Sequence, residues 1–108
     1  MRVLYTLLSI IILVSISMAS TEGEKIFKEK GCIACHHPEI DTVAPALKKI
    51  ANVYKHDKEA LKKFLKGKAE PKVDPARFSL MKPQLNDTKH LSDKELEKLV
   101  EFILSTQK

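Results

Sequence analysis

A short motif in this chain contains two cysteines three positions apart and, directly after them, a histidine: Cys32-Ile33-Ala34-Cys35-His36. Residues at i and i+3 lie on one side of a helical turn, so both sulfurs can bond to the two vinyl groups at one edge of a porphyrin. The histidine then faces the iron, for which a neutral imidazole nitrogen is a strong axial ligand. The motif therefore predicts a covalently attached haem c, around which the rest of the chain must fold.

Three other interpretations of the two cysteines are a thioredoxin-like redox pair, half of a zinc site and a structural disulfide. A thioredoxin motif would need a following βαβ pattern, and a structural zinc site would need two more cysteines or well-spaced histidines. The sequence shows neither pattern, and it has only two cysteines. Haem attachment is therefore the favoured interpretation.

The amino terminus has the pattern of a secretory signal. Arg2 precedes an apolar run over residues 3–18, and Ser17-Met18-Ala19 supplies the small residues that a signal peptidase requires. We expect residues 1–19 to be a signal peptide and residues 20–108 to be one domain in the periplasm. The alternative is an uncleaved membrane anchor, although the run is short of the roughly 20 residues that a spanning helix needs.

The net charge is +5 and is mostly due to lysine, with eight lysines between positions 48 and 68. They form either a solvated helix face or a surface that docks to an acidic redox partner. Nucleic acid is excluded as a partner, because an exported chain does not meet it and no aromatic residues interleave with the lysines. The domain is small enough that a purely protein core is marginal, so we expect the haem-free form to be largely unfolded. No heptad or large apolar surface demands a dimer, so a monomer is expected.

Apolar residues recur at helical spacing in several segments, and no segment alternates with the period of a strand. Asp57 can cap one helix, and Ser92 with Glu95 forms a capping box before the last one. The prolines and sparse apolar residues of segment 68–91 predict mainly a loop. The fold class is therefore all α. Helices are expected over residues 46–54, 58–66 and 93–106, with a short helical turn after Asp74 and Pro75. A first helix, capped by Ser20 or Thr21, is expected to run through residues 24–30.

Met81 is the one methionine left once residues 1–19 are removed, and it lies beside Pro83 in this loop. A thioether sulfur is a known axial ligand of haem iron, so Met81 is the candidate for the second axial position. The alternative is a methionine that fills a gap in the core. His37, His56 and His90 are weaker candidates for this position. His37 directly follows His36, which already supplies the histidine ligand of the motif, and His56 and His90 are flanked by polar residues.

With these motifs the chain resembles a bacterial class I cytochrome c, the small kind with a single haem. The resemblance covers residues 20–108 and rests on the order of the motifs. An amino-terminal helix leads into the cysteine motif, Pro45 lies nine residues after its histidine, Met81 follows in a proline-flanked loop, and an amphipathic helix ends the chain. Lys82 between Met81 and Pro83 is a departure, and the long segment 67–80 resembles variants from thermophilic chemolithotrophs.

The resemblance implies a fold of three to five helices wrapped around one haem c, bound through Cys32 and Cys35. It implies axial ligation of the iron by His36 and Met81, and a hydrogen bond from the imidazole to the Pro45 carbonyl. It also implies that the first and last helices cross near a glycine and aromatic residues, for which Gly23, Phe27 and Phe102 match.

With both axial positions filled, the expected function is outer-sphere transfer of one electron, and not catalysis. The expected partners are a donor of the quinol-cytochrome c reductase type and an acceptor such as a terminal oxidase, docked through lysines. Two alternatives stay open. The chain could be a haem c subunit of a membrane-anchored oxidase or dehydrogenase, or a sensor or peroxidase with five-coordinate haem.

Overall fold

The computed structural model describes residues 18–107, and their side chains from residue 22 onward. Apart from its last two residues, the predicted signal peptide lies outside this range, so its cleavage stays a prediction. The described residues form helices and no strand, which confirms the all-α class. Four helices have eight or more residues, and α4 and α5 are single turns. The α-helices are α1 (Met18–Glu29), α2 (Leu47–Tyr54), α3 (Lys58–Leu65), α4 (Phe78–Met81), α5 (Leu85–Thr88) and α6 (Asp93–Leu104).

Side-chain caps stabilise the first turns of α3 and α6, as predicted. The Asp57 carboxylate accepts a hydrogen bond from the backbone N–H of Ala60. Ser92 and Glu95 form the reciprocal capping box, in which each side chain accepts a hydrogen bond from the other residue's backbone N–H, at 3.1 and 2.9 Å. Caps of this kind stabilise a helix by about 1 kcal/mol each, because they satisfy N–H groups that lack partners in the first turn.

Helices α1 and α6 cross at close range, and this crossing is the centre of the fold. Gly23 is buried there against the backbone of Lys98, and the rings of Phe27 and Phe102 pack at a tilt with centroids 5.4 Å apart. The predicted crossing near a glycine and aromatic residues is therefore confirmed. Side chains of α2 and α3 complete the core against α6. The buried apolar cluster consists of Phe27, Leu47, Tyr54, Leu61, Leu65, Leu91, Leu96, Leu99, Val100 and Ile103.

Helix α3 is also joined to α6 by charge. Lys58 and Lys62 both donate to the carboxylate of Glu97, and the Lys66 ammonium lies 3.4 Å from a carboxylate oxygen of Asp93. The lysine-rich segment was interpreted either as a solvated face or as a docking surface. Three of its lysines instead pair with acidic residues of α6.

The expected bounds are wrong in two places. Helix α1 begins at Met18, so Ser20 and Thr21, of which one was expected to cap the helix, lie within it. Segment 68–91 was expected to be mainly loop with one short helical turn after Asp74 and Pro75. That turn is present as Pro75–Arg77 followed by α4, but the segment also holds a second 3₁₀ turn, Lys82–Gln84, and α5. Proline is tolerated in the first turn of a helix, so Pro75 at the first position and Pro83 at the second belong to these turns instead of preventing them. Among the described residues, no helix has the length and apolar character needed to cross a membrane.

Candidate functional site

The cysteine motif follows α1 through a left-handed residue. Gly31 has φ +78°, a conformation that is strained for any residue with a Cβ, and a 3₁₀ turn over Cys32–Ala34 begins directly after it. The backbone N–H groups of Cys35 and His36 both donate to the carbonyl of Cys32, at 3.2 and 3.0 Å. This tight turn brings both sulfurs and the imidazole to the wall of one cavity.

The two cysteines are free thiols that differ in exposure. Cys32 is partly buried and packs against the core, whereas Cys35 is exposed. Burial raises the pKa of the Cys32 thiol to about 11, because the thiolate would lose its solvation. Cys32 is therefore held as a neutral thiol, with its sulfur at the cavity wall, where a covalent bond to a cofactor would form.

His36 has a defined tautomer. Its Nδ1 donates a hydrogen bond to the carbonyl oxygen of Pro45 at 2.7 Å. Since a carbonyl can only accept, Nδ1 carries the hydrogen and Nε2 keeps its lone pair. Burial lowers the pKa of His36 below its ordinary value, and the bond to Pro45 opposes this only in part. The side chain is thus kept as a neutral imidazole with Nε2 available, which is the form that binds a metal.

The segment between His36 and Pro45 is held in shape by its own side chains. The Thr42 hydroxyl donates to the carbonyl of Cys35 at 2.7 Å, and the Asp41 carboxylate accepts from the N–H of Ala46 at 2.9 Å. These bonds fix the path of the chain on both sides of Pro45. The Pro45 carbonyl is thereby presented to the imidazole by a structured loop.

The alternative histidine ligands lie elsewhere. His37 is exposed, and its Nδ1 accepts from the backbone N–H groups of Glu39 and Ile40, at 2.9 and 3.2 Å. His56 and His90 are exposed, and none of the three lines the cavity.

Met81 is the last residue of α4. It is partly buried, packs against the core and lines the same cavity as Cys32, Cys35, His36 and Pro45. Residues that are up to 49 positions apart in the chain are thus collected around one space. The five residues predicted from the sequence therefore line one cavity.

The cavity walls are mostly apolar, and each of the six α-helices and several of the segments between them contribute lining residues. Leu47, Ile50 and Tyr54 of α2 line the cavity, whereas Ala51 of the same helix is buried but does not line it. Sequence reasoning did not assign five polar lining residues to the site: Lys72, Asp74, Arg77, Gln84 and Thr88. The apolar lining includes Phe27, Ala34, Val43, Ala44, Leu61, Phe64, Leu65, Pro71, Val73, Phe78, Leu80, Leu99 and Ile103.

These residues fit a covalently bound haem. Two free thiols, a neutral imidazole, a thioether and apolar walls are the donors and surroundings that haem c requires. Comparison with known proteins decides the family: the sequence model described as Cytochrome c matches residues 20–107. This chain belongs to the cytochrome c family.

A curated relative, the cytochrome c-552 of Hydrogenobacter thermophilus, agrees with this assignment. It is 32% identical to this chain over 101 residues, which cover 94% of this chain and 95% of the relative. The resemblance to a class I cytochrome c is therefore confirmed. As a cytochrome c, this protein is an electron-transfer protein with a covalently bound haem c and redox partners, and it is not an enzyme.

Proposed function

We propose that this cytochrome c carries single electrons between redox proteins in the periplasm, with its haem bound through Cys32 and Cys35 and its iron ligated by His36 and Met81. The observation that carries the proposal is the arrangement of the two candidate ligands. The free Nε2 of a neutral His36 and the thioether of Met81 belong to one apolar cavity, and Pro45 holds the imidazole by a 2.7 Å hydrogen bond.

Each residue has a role that follows from its chemistry. The bound haem supplies a one-electron iron couple. The Pro45 carbonyl orients the His36 ring and raises the basicity of Nε2, since it accepts the hydrogen of the other nitrogen. The soft sulfur of Met81 favours ferrous over ferric iron, and the apolar walls disfavour the extra ferric charge, so both raise the reduction potential.

Docking is proposed to depend on lysines at the cavity and not on those of α3. Lys58, Lys62 and Lys66 are engaged by acidic side chains of α6. Lys72 lines the cavity and Lys82 directly follows Met81; both residues are exposed, and neither forms an ion pair within the described part of the chain. These two cations are well placed to steer an acidic partner towards the haem.

The proposed location and partners follow from the amino terminus and the family. Residues 1–19 are proposed to be removed on export, which leaves a monomeric domain over residues 20–108. A donor of the quinol-cytochrome c reductase type and an acceptor such as a terminal oxidase are the proposed partners. Mass spectrometry of the protein purified from its native membrane and periplasmic fractions tests the cleavage: a first residue at Ser20 supports it, and an intact amino terminus in the membrane fraction contradicts it.

The axial ligands are tested by optical spectra of the matured protein when oxidised, when reduced, and after exposure to carbon monoxide. We expect a low-spin ferrous spectrum that carbon monoxide does not change. We also expect an iron–sulfur charge-transfer band in the ferric protein that is absent from Met81→Ala and retained in His56→Ala and His90→Ala. A high-spin ferrous protein that binds carbon monoxide would instead support a sensor or peroxidase.

A further inference from the structure

The guanidinium of Arg77 joins two segments that are distant in the chain. Its Nη1 donates to the carbonyl of Val43 at 3.0 Å and to the carbonyl of Thr42 at 3.3 Å, and its Nε donates to the carboxylate of Asp74. The bonds to Thr42 and Val43 span 35 and 34 positions of sequence. Arg77 thus makes a clasp between the loop before α2 and the segment before α4.

One end of this clasp belongs to the segment that positions His36. Thr42 donates its hydroxyl hydrogen to the Cys35 carbonyl at 2.7 Å and its backbone hydrogen to the Ala44 carbonyl at 3.0 Å. Pro45, two residues after Val43, accepts the hydrogen bond from the imidazole. The hydrogen bond from Arg77 to the Val43 carbonyl therefore restrains the same short loop that orients the imidazole.

The other end of the clasp leads into α4, the short helix whose last residue is Met81. Arg77 is the last residue of the 3₁₀ turn Pro75–Arg77, and α4 runs from the next residue to Met81. Asp74 precedes this turn with φ +51°, a left-handed conformation that is strained for a residue other than glycine. The ion pair with Arg77 and the N–H of Arg77 donated to the Asp74 carbonyl at 3.1 Å both hold this conformation.

We infer that Arg77 is a positioning residue that holds the Met81 turn against the loop between His36 and Pro45, and so keeps the Met81 sulfur on the iron. The inference rests on the proposed ligation by Met81. A methionine sulfur is a weak ligand, so the fraction of molecules in which it binds the iron depends on how well the chain holds it in place. Helix α4 has only four residues, and a helix this short is not stable without contacts to the rest of the chain.

The contact suits arginine and not lysine. The planar guanidinium reaches a carboxylate and two carbonyls at the same time, because its N–H groups point in fixed directions. An ammonium is a compact charge on a flexible stem and cannot reproduce this arrangement. Arg77 is the only arginine in the described part of a chain whose other cations there are lysines.

The test uses imidazole as an added ligand that competes with Met81 for the iron of the matured ferric protein. Arg77→Gln is compared with Lys89→Gln, which removes one positive charge from an exposed position outside the cavity. We expect Arg77→Gln to bind imidazole about tenfold more tightly than the wild type, which is the ratio expected when one or two hydrogen bonds are lost. Lys89→Gln should stay within about twofold.

Two further variants make the outcome decisive. Arg77→Lys should bind imidazole nearly as tightly as Arg77→Gln; if it matches the wild type, charge alone suffices and the clasp is wrong. It also keeps the inference testable if Arg77→Gln does not fold. Equal affinities in Arg77→Gln and Lys89→Gln would overturn the inference. Met81→Ala separates the two proposals, because an unchanged ferric spectrum in that variant would overturn the proposed ligation itself.

Discussion

A Cβ atom on Gly23 would lie 2.6 Å from the Cβ of Phe102, and closer still to the carbonyl oxygen of Lys98. Helices α1 and α6 are therefore in contact backbone to backbone at this point, and the approach brings Phe27 against Phe102 beside the cavity. Only glycine allows this distance, because every other residue would push α1 away from α6.

The first prediction is that Gly23→Ala lowers the free energy of unfolding by about 2–3 kcal/mol, since overpacking at a backbone contact forces the helices apart. Guanidinium unfolding of the matured protein measures this loss. Lys25→Ala serves as the control, because Lys25 is an exposed residue of the same helix and its loss should cost within about 0.5 kcal/mol. If the two variants are equally stable, the close approach does not exist in solution.

The second prediction concerns Glu97 and acid. Hydrogen bonds from Lys58 and then from Lys62 lower the pKa of Glu97 from 4.5 to about 2. A carboxylate with a depressed folded pKa stabilises the fold above its unfolded pKa, and this stabilisation is lost as the pH falls from about 4.5 towards 2. We expect the ionised Glu97 to contribute about 1 kcal/mol to the free energy of unfolding, because both lysines are partly exposed and solvent screens the pairs.

Unfolding curves of the wild type and Glu97→Gln between pH 2 and 7 check this prediction. The two proteins should differ most near neutral pH and converge at about pH 2. Glu70→Gln is the control, because Glu70 is exposed and no ion pair to it is found within the described part of the chain. A constant difference between Glu97→Gln and the wild type over the whole pH range would show that Glu97 is not held by these lysines.

The parts of the site that could be predicted from sequence are those with local spacing. Cys32, Cys35 and His36 are covalent neighbours, and the positions of Pro45 and Met81 relative to them follow a family order. The caps at Asp57 and Ser92 are equally local, because a cap contacts the N–H three residues on.

The parts that could not be predicted join distant segments. The bond of Arg77 to Val43 and the pairing of Lys62 with Glu97 span 34 and 35 positions, and nothing in the pattern around either residue indicates its partner. Apart from the turn predicted after Asp74 and Pro75, the helical turns of segment 68–91 are too short to show a helical period, so its prolines led to the prediction of a loop. Within residues 20–108 Arg77 is the single arginine among many lysines, and this is the one signal that could have drawn attention to it.

The third prediction concerns Thr88, which is only 2% exposed. Its hydroxyl donates to the carbonyl of Leu65 at 2.6 Å, and Leu65 ends α3, where carbonyls lack a partner within the helix. Thr88→Val keeps the shape but leaves this buried carbonyl unsatisfied, so we expect a loss of about 1–3 kcal/mol in unfolding free energy. Thr88→Ser keeps the hydroxyl and should lose only about 0.8 kcal/mol for the missing methyl. A valine variant more stable than the serine variant would contradict this role.

The fourth prediction concerns the proposed docking surface, defined by Lys72 and Lys82. Ferricyanide is a small anionic oxidant, so the rate at which it oxidises the reduced protein reports the positive potential at the haem. We expect Lys72→Gln and Lys82→Gln each to lower the second-order rate constant about twofold at an ionic strength of 0.01 M, where the Debye length is about 30 Å. Stopped-flow absorbance measures this rate.

The control for the docking surface is Lys94→Gln, which changes the net charge by the same amount. Lys94 lies in the first turn of α6, none of whose residues lines the cavity. At an ionic strength of 0.1 M the Debye length shrinks to about 10 Å, so the effect of Lys94 should vanish while those of Lys72 and Lys82 persist. Equal effects of all three substitutions at 0.1 M would mean that the rate follows net charge alone. Lys72 and Lys82 would then have no special part in steering a partner.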